Sequence, residues 1–496
     1  MLVAAALTAR HHGGVSKRLD RYRAKRDFEA TPEPTGGPDD GEPGGRFVIQ
    51  EHHARRLHWD LRLEHDGVLL SWAVPRGIPP DPKRNNLAVH TEDHPLEYLE
   101  FEGDIPKGEY GGGKMLIWDR GHYDVHKMRD NEVIVTFHGD RVRGRYALFQ
   151  TDGDNWMIHR MDPPEDPDRE PMPAHIEPML ATLSKNLPHD EDHHAFEVKW
   201  DGVRSIAYVE GGQARFESRR GGDITSRYPE LRGLGPALGS TAAVLDGEIV
   251  AFEGERPSFE RLQRRMHVGN ERAVRRLMGE VPVVYVIFDL LWLEGHSTLA
   301  LPYRERRKLL DELGPQGPSW QTPAAHEGDG SALLDATRRL GLEGVVAKRL
   351  DSLYEAGRRS RAWLKVKNHN SQDFVIGGWV PGKGARSSSL GALLIGCYES
   401  TAPDARLRYA GRVGTGLTDT ELRRLVGLLE PVHRDTSPFT PAPRVKDAVF
   451  VEPELVTEVE FREWTSAGAV RAPVYLGLRD DRDPRDVVRE DAVRAR

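Results

Sequence analysis

The sequence predicts a multidomain α+β protein: a small β-rich barrel, a mixed α/β domain and a second small β-barrel, in that order. Three observations predict it. With 496 residues the chain exceeds what one core organises, so about three domains of roughly 100–200 residues are expected. A run with five prolines, "MDPPEDPDREPMP" (161–173), holds almost nothing apolar and divides the chain. Before that run the apolar residues alternate by twos, and after it strand and helix periods mix.

Residues 1–45 read as a flexible lead. Its opening "MLVAAALTAR" lacks a basic n-region and is followed by no clear cleavage site, so it reads as a frayed extension, and 14–45 are rich in Pro and Gly. Residues 46–160 read as a compact β module. In "LHWDLRLEH" Leu57, Trp59, Leu61 and Leu63 recur every second residue, the period of a half-buried strand, which puts His58, Asp60 and Arg62 on its other face. Residues 161–173 are the linker. From 174 to 370 strand-like runs ("FEVKWDG", "AVLDGEIVAF", "VPVVYVIFDLLWL", "GVVAKRL") alternate with helical ones ("PYRERRKLLDEL", "SALLDATRRLG"). From 371 to 496 short apolar runs between glycines suggest a barrel with one helix, opened by a capping box at Thr418–Glu421.

Composition narrows the function classes. A 38% hydrophobic, 30% charged chain is a soluble globular protein, and no apolar run approaches the roughly 18 residues of a membrane span. The single cysteine, Cys397, excludes an intrachain disulfide and a thiolate metal cluster, and suits a reducing cytoplasm. A net charge of -8 argues against a general polyanion binder. The arginine-rich 260–279 reads first as a solvated helix face and second as a nucleic-acid contact.

Two clusters carry chemistry. In 50–67, "QEHHARRLHWDLRLEHDG", an imidazole, a carboxylate and a guanidinium on one strand face form either a solvated edge or the floor of a metal–phosphate site. His53, His65 and the "HDEDHH" run (189–194) read as solvated loop residues. The second cluster is an ordered series: Glu197, Lys199 and Asp201 alternating, Arg219, Asp246 with Glu248, Phe288 with Asp289, Glu343 with Lys348, and Lys365 with Lys367. A lysine is a nucleophile only when deprotonated, and its reference pKa is about 10.4. Cations such as Lys365 and Lys367, or a metal, would lower it, and would also neutralise a triphosphate. Glu248 and Glu343 could hold a divalent metal or a ribose, and Phe288 offers a flat face to a purine.

This ordered set resembles the covalent nucleotidyltransferases, specifically the ATP-dependent DNA ligases, over 174–496. The resemblance implies an ATP-grasp-like nucleotidyltransferase domain and a C-terminal OB-fold. It implies that ATP adenylylates Lys199, in the motif that also holds Asp201, and that AMP passes to a 5′-phosphate before a 3′-hydroxyl displaces it. Arg204 and Arg219 would contact nucleotide or phosphate, Glu248 and Glu343 ribose and metal (magnesium or manganese), Phe288 adenine, and Lys365 and Lys367 the phosphates. In "FREWTSAGAVRAPVYLGLRDD", Arg479 and Asp481, with Arg482 beyond it, would orient pyrophosphate.

Residues from about 20 to 160 resemble the 3′-phosphoesterase module of ligase D-type enzymes through "YRAKRDFEATPEP", "FVIQEHHARRLHWDLRLEHDG", "SWAVPRG", "LAVHTEDHPLEY" and "FEGDIPKGEYGGG". By that likeness His52, His58 and Asp60 bind manganese. Arg62, His94 and Tyr98 meet the scissile phosphate, with His94 a general acid, and Asp27 and Glu33 match acidic positions. Arg76 replaces a family lysine and keeps its charge for phosphate, whereas Asn86 stands where a basic residue is usual. The implied protein is an end-healing DNA ligase, without a polymerase domain. It would act as a cytoplasmic, nucleoid-associated monomer on nicked or broken duplex DNA, with no membrane contact. A Ku-like end-binder and a separately encoded polymerase would be its partners. An RNA ligase or capping guanylyltransferase, and a non-catalytic DNA-end scaffold, are the alternatives.

Overall fold

The computed structural model describes residues 17–36, 44–266, 268–382, 390–465 and 467–490; the opening run 1–10 lies outside them. In the first domain eight antiparallel strands close on themselves. Their order is Arg46–His53, Leu57–His65, Val68–Val74, Asn85–His90, Asn155–Arg160, Arg143–Asp152, Glu132–Gly139 and Gly113–Arg129, and the last pairs again with the first. Alternation drives the closure, because Phe47, Leu61, Trp72, Phe137, Leu148 and Ile158 all face one core. The turn joining the second and third strands needs positive φ at Asp66 (49°) and Gly67 (80°), which the "DG" pair supplies.

Two expectations about this domain are corrected. The strand Leu57–His65 is not half-buried, since Asp60 and Arg62 on its second face are buried too. The cover is the lead, which is not flexible over 17–36. It forms the helix Asp20–Ala24 and packs Tyr22 against Val48, Leu69 and Tyr98. Too polar to build a core of its own, this segment folds onto the barrel's outer apolar patch. The linker 161–173 is docked as well. Arg169 donates to the Glu294 carbonyl (2.7 Å), Glu170 N–H to that of Gly295 (2.8 Å), and Asp166 pairs with His296 (2.7 Å). The barrel also touches the middle domain directly, through Arg84 and Glu210 (2.6 Å) and through Trp118 Nε1–H and Ser240 Oγ (2.8 Å).

The middle domain is built on two sheets. One orders Leu180–Leu183, Arg359–Lys367, Gly344–Arg349, His194–Lys199 and His326–Glu327, and the other is centred on Val203–Glu210, Ala243–Glu253 and Val283–Leu293. Most neighbouring strands are antiparallel, so the expected α/β alternation becomes an α+β domain with flanking helices. In the arginine-rich 260–279, Arg264 is exposed and pairs with Glu280, as a solvated face requires. Arg265 is instead buried, bound to Glu230 (2.7 and 3.0 Å) and to the carbonyls of Arg227 and Val281. Of the 189–194 run, His194 is buried at a strand start rather than solvated.

The third domain curls Ser371–Pro381, Leu390–Tyr398, Leu407–Val413, Val449–Glu460 and Val474–Leu478 around one core, and a Thr415–Val474 bridge nearly closes it. Its helix Asp419–Leu429 starts where Thr418 Oγ1 accepts from Glu421 N–H. Among the described residues no helix is long and apolar enough to cross a membrane.

Candidate active sites

The first site forms where the strands Arg46–His53 and Leu57–His65 pair with His52 opposite His58. Asp60 follows on the same face by the two-residue period. Ligand atoms of His52, His58 and Asp60 all lie within 4.8 Å of one another. Each imidazole is anchored by its other nitrogen. His52 Nε2–H donates to the Gly111 carbonyl (2.8 Å) and His58 Nδ1–H to that of Arg56 (3.0 Å). This leaves His52 Nδ1 buried without a hydrogen-bond partner, 3.4 Å from Asp60 Oδ2, and His58 Nε2 3.6 Å from Oδ1. Burial alone would raise the Asp60 pKa, but the Arg62 guanidinium beside it holds it well below the usual carboxylate range. Two bare imidazole lone pairs converging on a carboxylate fit a divalent cation, with backbone carbonyls fixing the tautomers.

The expected phosphate contacts Arg62, Tyr98 and His94 cluster beside this set, each engaged by protein groups. Arg62 is a buried strut, donating to Asp60 (3.0 Å), Gln50 (2.7 Å) and Ser71 (3.0 Å). Tyr98 donates to Glu33. His94 donates from Nδ1 to the Glu92 carbonyl (2.8 Å), and its Nε2 accepts from Arg26 (3.2 Å). Burial, with the Arg62 and Arg26 cations, pushes its pKa well below the usual value. In this arrangement the neutral ring accepts at Nε2 from Arg26 and carries its proton on Nδ1. Arg76 lies on an exposed turn lining the groove between barrel and middle domain, and Asn86 donates to the Gly77 carbonyl (2.7 Å). Asp27 closes the 27–31 turn through its own carbonyl, whereas Glu33 binds Arg26 (2.6 Å). Sequence reasoning passed over Arg26, Gln50, Ser71 and Glu92. The one available signal was that the lead is as basic as the site beneath it is acidic.

The second site is a cleft between the middle and third domains. Alternation on two strands aims Lys199, Lys365 and Lys367 into it, and Glu343 joins them from just before the strand Gly344–Arg349. Glu343 bridges two of them, pairing with Lys199 and with Lys367 (3.0 Å). Burial would raise the Glu343 pKa, yet the two lysines bring it down to about 2. Lys365 pairs instead with Glu490 (2.7 Å). Lys199 and Lys367 thus share one carboxylate and Lys365 has another, so each of these lysines is charge-paired. Glu248 is the available carboxylate. No hydrogen bond or ion pair reaches it among the described residues, and burial pushes it up to about 7 despite Arg204 and Lys199 nearby. Asp201 lines the same cleft, held well above the carboxylate range by burial beside Glu458 and Glu343.

Arg204 lines the cleft but is clamped by Asp246 (2.6 Å to each oxygen), its guanidinium 4.5 Å from the Phe288 ring. The other approach to Phe288 carries Lys348 Nζ at 4.6 Å, so the proposed adenine platform is flanked by cations. Arg219 has no ion pair among the described residues, and burial lowers its pKa. From the third domain Arg479 grips Asp481 (2.8 and 2.9 Å) and Glu458 (3.0 Å), and Arg482 binds Asp373 (3.0 Å). Lys348 (with Glu197, 2.9 Å) and Trp363 complete the floor. Lys348 was visible in "LEGVVAKR", but nothing marked Glu490 or Glu458.

Comparison with known proteins finds a match for each of the three domains. The DNA ligase D 3′-phosphoesterase domain matches residues 50–150, the ATP-dependent DNA ligase domain 178–367 and the ATP-dependent DNA ligase C-terminal region 386–482. The multifunctional non-homologous end joining DNA repair protein LigD of Mycobacterium tuberculosis is 46% identical over 486 residues, 96% of this chain and 62% of that protein. Pseudomonas aeruginosa LigD is 36% identical over 534 residues, again with 96% and 62% covered. A solved mycobacterial DNA ligase D with ATP and MES is 40% identical, covering 64% of this chain and 99% of that one, with a TM-score of 0.47. The chain thus spans 62% of the length of the curated relatives it matches. With three successive domains matched in order and this identity along nearly its whole length, the chain belongs to the ligase D family of ATP-dependent DNA ligases that carry a 3′-phosphoesterase domain.

Proposed function

We propose that this chain repairs broken DNA, healing 3′ ends at the barrel site and sealing strands at the cleft through a lysyl-AMP intermediate. The convergence of Lys199 with Glu343, Lys365 and Lys367 in one cleft carries this reading. There Lys199 Nζ gives up its ammonium proton to water, and the freed lone pair forms a bond to the α-phosphorus of ATP as the bond to pyrophosphate breaks. Glu343 holds Nζ in place beforehand and must release it for attack. Lys365 and Lys367 then face the phosphate charge, which supports electrostatic stabilisation of the transfer. AMP passes next to a 5′-phosphate, and the 3′-hydroxyl of the adjoining strand displaces it.

At the barrel site His52, His58 and Asp60 would hold manganese, which supplies Lewis-acid charge to a phosphate oxygen. Arg62, braced by Gln50 and Ser71, keeps the Asp60 carboxylate ionised and oriented. Removal of a 3′-terminal ribonucleotide or phosphate is the assigned reaction, and Glu248 is the carboxylate suited to a magnesium or manganese ion at the cleft. The family likeness supports nicked or broken duplex DNA as substrate, a Ku-like end-binder and a separate polymerase as partners, and action as a monomer at the nucleoid. Incubation with α-labelled ATP and magnesium tests the reading: a covalent adduct is expected in the full chain and not in Lys199→Ala. An adduct of normal yield in the variant would overturn it.

A further inference from the structure

We propose that Glu490 is an internal competitor for the phosphate position on Lys365, and so sets the affinity of the cleft for the polyphosphate of ATP. This rests on the reading of the cleft as an ATP site. Glu490 Oε2 lies 2.7 Å from Lys365 Nζ, and Oε1 lies 3.8 Å from Arg359. The carboxylate is delivered by the third domain. Its own N–H donates to Gln372 Oε1 (3.0 Å), Gln372 Nε2 donates to the Val488 carbonyl (3.1 Å), and Tyr398 N–H donates to that of Val487 (2.8 Å). Val487 is buried in the third domain's core, so the strap 487–490 is anchored there while its last carboxylate reaches across.

Lys199 and Lys367 share Glu343 from their own domain, whereas Lys365 takes its carboxylate from outside. A buried ammonium needs an anion beside it. On Lys365 Glu490 holds that place, so an arriving phosphate oxygen competes with it for the charge of one ammonium. A bound polyphosphate carries more charge than one carboxylate and displaces it, at the expense of the Glu490 pair. Glu490 therefore weakens nucleotide binding.

The sign separates this from a purely structural latch. If Glu490 only held the third domain closed, its removal would loosen the cleft and weaken ATP binding. The full chain carrying Lys199→Ala, which forms no adduct, is titrated calorimetrically with magnesium–ATP, with and without Glu490→Gln. The glutamine keeps the backbone bond to Gln372. Binding should tighten by roughly three- to tenfold, the scale of one partly buried ion pair. Glu490→Asp, measured the same way, should fall back toward the parent affinity. Equal or weaker binding in Glu490→Gln, with the thermal midpoint preserved, overturns the inference alone. A parent that binds no ATP overturns the ATP reading of the cleft together with it.

Discussion

His52 Nδ1 faces the Asp60 carboxylate at 3.4 Å with no proton between them, because the ring's proton sits on Nε2 against the Gly111 carbonyl. Two lone pairs so placed repel unless a cation lies between them. The full chain should therefore bind manganese by calorimetry, raising the thermal midpoint of the barrel by mass action. His52→Ala should lose both effects. A midpoint that rises equally in wild type and variant would place the metal elsewhere.

Arg265 and Arg264 are neighbours in sequence and opposites in energetics. Arg265 is buried with Glu230 and two carbonyls, so Arg265→Ala leaves an unpaired buried carboxylate and should destabilise by about 3 kcal/mol. Arg264 is half-exposed, and Arg264→Ala should change stability by no more than about 0.5 kcal/mol. Urea unfolding of both variants decides this. If Arg264→Ala lowers the salt dependence of nick binding by about one unit of slope, that arginine meets a phosphate.

His90 packs against both Trp72 (5.3 Å) and Trp156 (5.8 Å), and burial lowers its pKa. The sign follows from linkage. Below about 6.5 the unfolded imidazole takes up a proton that the folded one resists, so this stability is present above that pH and is lost as pH falls. His94 acts in the same sense. His90→Phe should thus flatten, without abolishing, the loss of barrel stability as pH falls below about 6.5. Tryptophan fluorescence during urea unfolding follows it, and an identical slope in the variant would refute the assignment.

What the sequence revealed follows a physical line. Side chains placed by strand period were legible: His58 and Asp60 two apart, Lys365 and Lys367 two apart, Glu197 and Lys199 likewise. His52 joined the metal set through cross-strand register, which the short turn between two alternating runs makes predictable. What failed was anything depending on cover. Arg62 is an equally good phosphate contact or strut until the lead closes over it, and the lead's composition suggested no docking. Glu92 and Glu490 meet Arg26 and Lys365 across long sequence separations, and no local pattern encodes such pairs.

The last prediction concerns the independence of the two sites. Proline-rich composition suggested domains joined by a loose spacer, yet the linker is docked and the barrel contacts the middle domain. Docking alone does not couple chemistry. The Arg84–Glu210 pair is about half exposed, and such pairs contribute roughly 0–1 kcal/mol. Trp118 adds one hydrogen bond to Ser240, and among the described residues none lines both sites. His58→Ala should therefore lose manganese-dependent removal of a 3′-terminal ribonucleotide or phosphate, yet seal a nick with clean 3′-hydroxyl and 5′-phosphate ends at close to the wild-type rate. Lys199→Ala should heal the 3′ end, fail to seal with ATP, and still seal a pre-adenylylated nick in part, since that step needs no lysine nucleophile. Two gel assays on both variants read the pattern. Loss of both activities in His58→Ala, with its thermal midpoint unchanged, would mean that the interface transmits the state of the metal site to the cleft, and that contacts this weak nevertheless couple the domains.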